Sequence, residues 1–241
     1  MTIRRILLFA AVLCLGVCAV PSFAQQTEIR PVSIGQPMPD FNLPVYQGGE
    51  LRLSSLAGKT VILVFPRGLA SKTGWCHVCN YQYSELVEAE QQQQIRKKHN
   101  LEILWVLPYS REIVGQWFDV FPDQLAYIEN GKNPPKDQPQ DERAARRAET
   151  YRREFPKSYH FEKGKVPMPF PVLVDADRTL SKGLGFFTEE WSGSKAEQNI
   201  PTVLIIDPKG IVQFKYMSQN TFDRPHLPYL LKMVDFITRA K

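Results

Sequence analysis

The sequence predicts an α/β domain, a central mixed sheet flanked by helices and interrupted by a helical insertion. Three observations predict it. Thr60–Phe65 (TVILVF) and Leu101–Leu107 (LEILWVL) are continuous apolar, β-branched runs of the kind that forms strands buried on both faces. The stretch between them has helical length, so strand, helix and strand make one right-handed crossover with a parallel pair. Further on, Pro201–Asp207 and Ile211–Tyr216 flank the turn Pro208-Lys209-Gly210, which reads as a hairpin.

The chain opens on a targeting pattern. Arg4 and Arg5 precede the uncharged apolar run Ile6–Val20, Pro21 breaks it, and Ser22-Phe23-Ala24 supplies the small residues of a cleavage site. The run is short for a transmembrane helix. Residues 1–24 are therefore expected to leave as a signal peptide, and 25–241 to form one domain of a periplasmic or secreted protein. A retained anchor and lipidation at Cys18 are the alternatives. Loss of Arg4 and Arg5 takes the net charge from +5 to +3. That mild excess is scattered, and its densest stretch, Arg143–Arg153, interleaves Glu149 as a solvated helix face does, so no nucleic-acid partner is expected.

From Gln25 to Pro44 the chain reads as extended, with Phe41 and Leu43 alternating as in an edge strand, and Leu51 and Leu53 alternate likewise. After the first buried strand comes a glycine-containing loop, Pro66–Gly74. The helix that follows begins at the cysteines and runs to about His99. Lys97, Lys98 and His99 suit its negative pole, and Asn100 suits its cap. Residues 108–168 break the pattern and read as an insertion. It holds helices at Ile113–Phe121 and Glu142–Phe155, with a polar, proline-broken loop Gly131–Asp141 between them. Regular structure resumes with a short strand, Phe170–Asp175, and a short helix, Arg178–Leu184, closed by Gly185. After the hairpin, a last helix spans Leu227–Ala240, with Leu230, Leu231, Val234 and Ile237 on one face.

Two of the four cysteines, Cys14 and Cys18, lie in the leader, which leaves Cys76 and Cys79. An exported protein meets a disulfide-permitting compartment. Two cysteines three apart close too small a loop to stabilise much, so reactive use is the better reading. At a helix start a thiolate sees unpaired N–H groups and the positive end of the dipole. Cys76, at the more exposed start, is the expected nucleophile. Cys79, one turn on, would resolve the mixed disulfide. Trp75 would shield one side of the pair. His77 has two open readings: an imidazolium that supports the Cys76 thiolate, or a ring that points to solvent. A metal is disfavoured, because a tetrahedral site needs four ligands and His99, His160 and His226 form no spacing motif.

With these residues in view, the chain resembles the thioredoxin-like superfamily. The similarity lies in the branch shared by the alkyl-hydroperoxide-reductase/thiol-specific-antioxidant (AhpC/TSA, peroxiredoxin) group and the periplasmic TlpA/ResA-type thioredoxins. It rests on Ile34–Pro44 (IGQPMPDFNLP), Leu53–Lys59 (LSSLAGK), Phe170–Gly185, Ile200–Gly210 (IPTVLIIDPKG) and the Trp75-Cys76-His77-Val78-Cys79 motif. It implies a thioredoxin-like fold and a cis-proline at Pro201 facing the redox pair, with backbone groups at Ile200 free to pair with an extended substrate. It also implies an attacking Cys76 and a resolving Cys79. Departures are visible. Thr73 stands where peroxiredoxins place a Thr, but Leu69 replaces their proline. Their thiolate-stabilising strand arginine aligns with Pro201, which leaves Arg67 as a spatial substitute.

The expected function is thus exported thiol–disulfide exchange, with protein thiols or disulfides and an upstream redox protein as partners. It needs no cofactor beyond a redox-active Cys76–Cys79 disulfide, and membrane contact would come only through an uncleaved leader. A thiol peroxidase that reduces peroxides at Cys76 is the second reading. A Sco-like copper metallochaperone is the third, and the tight cysteine spacing argues against it.

Overall fold

The structure is a computed structural model and describes residues 28–135 and 141–239. The expected leader, with Cys14 and Cys18, lies outside the described residues, as do positions 136–140 of the expected polar loop. Among the described residues no helix is long and apolar enough to cross a membrane.

A small antiparallel pair, β1 (Asn42–Pro44) and β2 (Glu50–Arg52), leads through a 3-10 turn at Leu53–Leu56 into the core. The core sheet has five strands: β3 (Thr60–Phe65), β4 (Leu101–Leu107), β5 (Val172–Val174), β8 (Thr202–Ile206) and β9 (Val212–Met217). Its spatial order is β5-β4-β3-β8-β9. β3, β4 and β5 run parallel, while β8 and β9 are antiparallel additions, so the expected mixed sheet is present. Every residue of β3, β4 and β8 is buried, which is why they read as unbroken apolar runs instead of alternating ones.

The two faces of the sheet carry two cores. Ile62, Val64, Ile103, Trp105 and Val203 pack against α1 (His77–Gln93), α3 (Arg111–Asp119), α4 (Phe121–Lys132), α5 (Glu142–Glu154) and α7 (Leu227–Arg239). Val61, Leu63, Phe65, Leu104 and Leu204 face the N-terminal segment and α6 (Thr179–Gly183). Period two along β3 sends alternate side chains to opposite cores. Fully burying one such side chain is worth about 1.5–3 kcal/mol.

Three sequence expectations need correction. The helix after the cysteines is broken: Gln94 takes a left-handed conformation (φ 49°) and ends α1, and a short α2 (Ile95–Lys98) follows. The break sends the fully buried Ile95 into the core and lets Arg96 pair with Glu90 and Glu102. The expected helix 113–121 is two helices. Pro122, which lacks an N–H, cannot continue α3 but is tolerated in the first turn of α4. The expected loop at Gly131–Asp141 begins later, because Gly131 and Lys132 belong to α4. Gly131 has a steric role there: a Cβ would sit 2.2 Å from the Tyr151 ring of α5.

A further hairpin was not anticipated. β6 (Phe187–Trp191) and β7 (Ser194–Asn199) pair antiparallel around Ser192-Gly193, both at positive φ. Its residues are mostly polar and charged, so no apolar run announced it. The Ser-Gly dipeptide is the one local signal, since such a turn needs two residues that accept positive φ. Arg178 ties it to the body, with a bidentate pair to Glu197 at 2.8 and 2.6 Å and a stack on Phe187.

Candidate active site

The site lies where β3 gives way to α1. Past Phe65 the chain forms a tight excursion closed by a bridge between Leu69 and Trp75 and by Ala70 N–H donating to Gly74 O at 2.7 Å. Gly68 is required here. It has φ +78°, and a Cβ would lie 2.3 Å from the Tyr109 hydroxyl. That hydroxyl accepts from Leu69 N–H at 2.8 Å and donates to Glu197 O at 2.9 Å, so one side chain pins both the loop and the β6–β7 hairpin. Trp75 packs edge-on against the Tyr109 ring, 5.6 Å between centroids.

Cys76 is the N-cap of α1, its N–H donating to Gly68 O at 2.9 Å and its C=O accepting from Cys79 N–H at 3.0 Å. Both cysteines are free thiols. The expected exposed nucleophile is not found, since Cys76 is 2% and Cys79 0% exposed. A helix start is open by default, but here the preceding loop and the hairpin that it bonds lie beside it. The two thiols nevertheless differ in their surroundings. Cys79's thiol donates to the Cys76 sulfur and is the main cause that pulls the Cys76 pKa down to about 6. Burial works against it, and the charges of Arg224 and Arg67 add to the lowering. Cys79 is pushed up, by burial first and then by the Cys76 hydrogen bond and charge. Cys76 is thus the more readily ionised of the two, and Cys79 the one that keeps its proton to higher pH.

Arg67 is central. It is buried, and its backbone N–H donates to Cys79 Sγ at 3.3 Å. Its Nε donates to Gln198 Oε1 at 2.6 Å and its Nη2 to Trp191 O at 3.3 Å, one contact on each strand of the hairpin. Its C=O accepts from Asn199 N–H at 3.1 Å. Arg67 thus reaches the pair through its backbone N–H, and its charge lowers the Cys76 pKa, a placement that only the fold could show. Arg224, Trp191, Gln198 and Tyr109 were not anticipated. They reach the site from distant segments, and only the Ser-Gly turn hinted at the element that carries two of them.

His77 corrects an expectation. It neither supports the thiolate as an imidazolium nor points freely to solvent. Its ring packs 5.0 Å from Tyr127, 5.7 Å from Tyr151 and 5.8 Å from Phe155, with Tyr151 Oη 3.3 Å from Nε2. Burial chiefly, then the charges of Arg147 and Arg67, lowers its pKa to about 4, so it is neutral at physiological pH. The insertion helices α4 and α5 supply this box, which gives the insertion a place beside the redox motif.

Pro201 corrects another. No described residue has a cis peptide bond, so the expected cis-proline is absent. The Ile200 N–H donates to Phe186 O at 2.7 Å, and Pro201 O accepts from Ser218 N–H at 2.9 Å. The unanticipated hairpin runs directly into β8, and the backbone that was expected to meet an extended substrate is already paired. Thr73 is exposed in the loop turn. His99 bonds Asp235 at 2.9 Å, away from the cysteines.

Residues 34–129 match the AhpC/TSA family. Comparison with curated proteins gave no match. Among solved structures, the chain is similar to the reduced 2-Cys peroxiredoxin of Plasmodium vivax, with 16% identity and a TM-score of 0.53 over 87% of this chain and 83% of that one. It is also similar to a cysteine-to-serine mutant of the peroxiredoxin 6 of Arenicola marina, with 15% identity and a TM-score of 0.55 over 86% and 74%. The shared fold is the thioredoxin-like fold in its peroxiredoxin form, as the sequence resemblance implied.

Proposed function

For a thiol-based redox protein with an AhpC/TSA segment, we propose that this chain reduces a small oxidant of the hydroperoxide class, with Cys76 attacking and Cys79 resolving. The observation that carries the reading is a buried Cys76 with its pKa lowered to about 6, next to Arg67, Arg224 and a protonated Cys79. The thiolate attacks the distal peroxide oxygen, the O–O bond breaks, and water or an alcohol leaves as the sulfenic acid forms. The Cys79 sulfur then attacks the sulfenic sulfur. Water leaves, and the Cys76–Cys79 disulfide forms. An external dithiol restores both thiols.

The size of the oxidant follows from access. Both sulfurs are buried, and the Ile200 N–H that an extended polypeptide would need is bonded internally. Disulfide exchange with proteins is the second reading. It is favoured by the close Cys76–Cys79 pair at a helix start, and it requires the loop or the hairpin to move. Export is part of the proposal too, since the leader pattern sends the chain to a compartment where a dithiol cycles through a disulfide.

Reduced protein mixed with hydrogen peroxide should lose two thiols per peroxide consumed, and Cys76→Ser should consume none. Insulin-disulfide reduction is assayed beside it. Insulin reduction without peroxide consumption would replace this reading with disulfide exchange.

A further inference from the structure

Trp191 closes β6 at the edge of the site, and two cations share its ring. The Arg67 Cζ lies 5.1 Å from the ring centroid and the Arg224 Cζ 5.9 Å. These are the two arginines whose charges bear on Cys76. They come from distant parts of the chain: Arg67 two residues past β3, Arg224 from the segment before α7. Left alone, two guanidinium groups in one small volume repel each other. The negative face of an indole attracts each of them, more strongly where water is excluded.

Their other contacts are unequal. Arg67 is clamped through Gln198 and through the backbone oxygen of Trp191 itself. Arg224 bonds through Nη1 alone, to Ser218 Oγ at 2.9 Å, Asp223 O at 2.9 Å and Asn220 O at 3.3 Å. Its Nε and Nη2 are buried without a hydrogen-bond partner. A guanidinium with two unsatisfied buried nitrogens would ordinarily turn toward water. A second contact, Ser192 Oγ to Thr221 Oγ1 at 3.2 Å, joins the hairpin turn to the Arg224 segment just beside the stack.

We propose that Trp191 is a positioning residue for the redox centre: its ring holds the Arg67 and Arg224 guanidinium groups together, so that their positive charge stays beside the Cys76 sulfur. The inference rests on reading Cys76 as the attacking thiolate, whatever the oxidant. The remaining titratable groups around the pair do not replace these charges. Cys79 holds its proton, Tyr109 is pushed up by burial and stays neutral, and His77 is neutral.

The test is the pH dependence of Cys76 alkylation in the reduced full-length protein, with thermal unfolding as a check on folding. Trp191→Leu keeps an apolar side chain and removes the π face. It should raise the Cys76 midpoint by about one pH unit, a tenfold loss of thiolate at lower pH. Trp191→Phe should restore most of the loss, because a ring face returns. Arg224→Gln should raise the midpoint as well, and adding Trp191→Leu to it should cost less than in the parent, since one of the two held cations is already gone. An unchanged midpoint in Trp191→Leu, or equal rises in the Leu and Phe variants, overturns the proposal. If Trp191→Leu does not fold, an unchanged midpoint in Arg224→Gln overturns it alone. A missing peroxide activity with this titration pattern intact removes the proposed oxidant and leaves the positioning role standing.

Discussion

The backbone N–H of Arg67 points at the sulfur of Cys79, 3.3 Å away, while its guanidinium is held by the hairpin that borders the same pair. One residue thus contributes twice. Its amide donates to the Cys79 sulfur, and its charge helps lower the pKa of Cys76. Two chemically identical side chains thus ionise differently because of what surrounds each.

The Cys79 hydrogen bond is the largest cause of the low Cys76 pKa, so its loss should be felt first at Cys76. In the parent, alkylation of Cys76 should rise through a midpoint near pH 6. Cys79→Ala should move that midpoint upward. Cys76→Ser should leave a thiol that alkylates slowly at neutral pH, because burial holds Cys79 protonated. Fast alkylation of Cys79 in that variant would reverse the assigned roles.

His77→Phe should leave the Cys76 midpoint unchanged, since a neutral imidazole contributes no charge. Its effect belongs to stability. Folding holds His77 neutral down to about pH 4 against an ordinary value of 6.5, so the unfolded chain binds more protons between those limits. This contribution is fully present above pH 6.5 and is lost as pH falls toward 4. Urea unfolding across that window should show a shallower pH slope in His77→Phe than in the parent.

Gly68→Ala places a methyl group against Tyr109 at a positive φ. It should destabilise by about 1–3 kcal/mol, the usual cost of a strained backbone position. Because Gly68 adjoins Arg67, the Cys76 midpoint should rise as well. Chemical unfolding and alkylation measured on one preparation check both effects, and a stable variant with an unaltered midpoint would contradict the tight-turn account.

Export should remove residues 1–24, as the leader pattern requires. Intact mass of protein recovered from the exported fraction measures this. A species that retains the leader, or that carries lipid on Cys18, would contradict it.

The sequence by itself determined the core strands and the close spacing of Cys76 and Cys79. Strands buried on both faces are uniformly apolar, so TVILVF and LEILWVL were legible without any partner in view, and a Cys-X-X-Cys at the start of the helix that follows the first of them marked the place to look for reactive thiols. Tertiary structure decided what that pair is. A pKa depends on every charge, hydrogen bond and desolvated surface around a group, and at Cys76 these come from positions as far apart as Arg67 and Arg224. His77 shows the same limit in reverse. Local order left an imidazolium beside a thiolate and a ring in solvent both open, but Tyr127, Tyr151 and Phe155 arrive from the insertion, bury the ring and make it neutral. The β6–β7 hairpin carries no apolar run because its residues are mostly polar. It takes up the Ile200 N–H and closes off the edge that the resemblance left open, since hydrogen bonds between distant backbone groups leave no periodic mark in the chain.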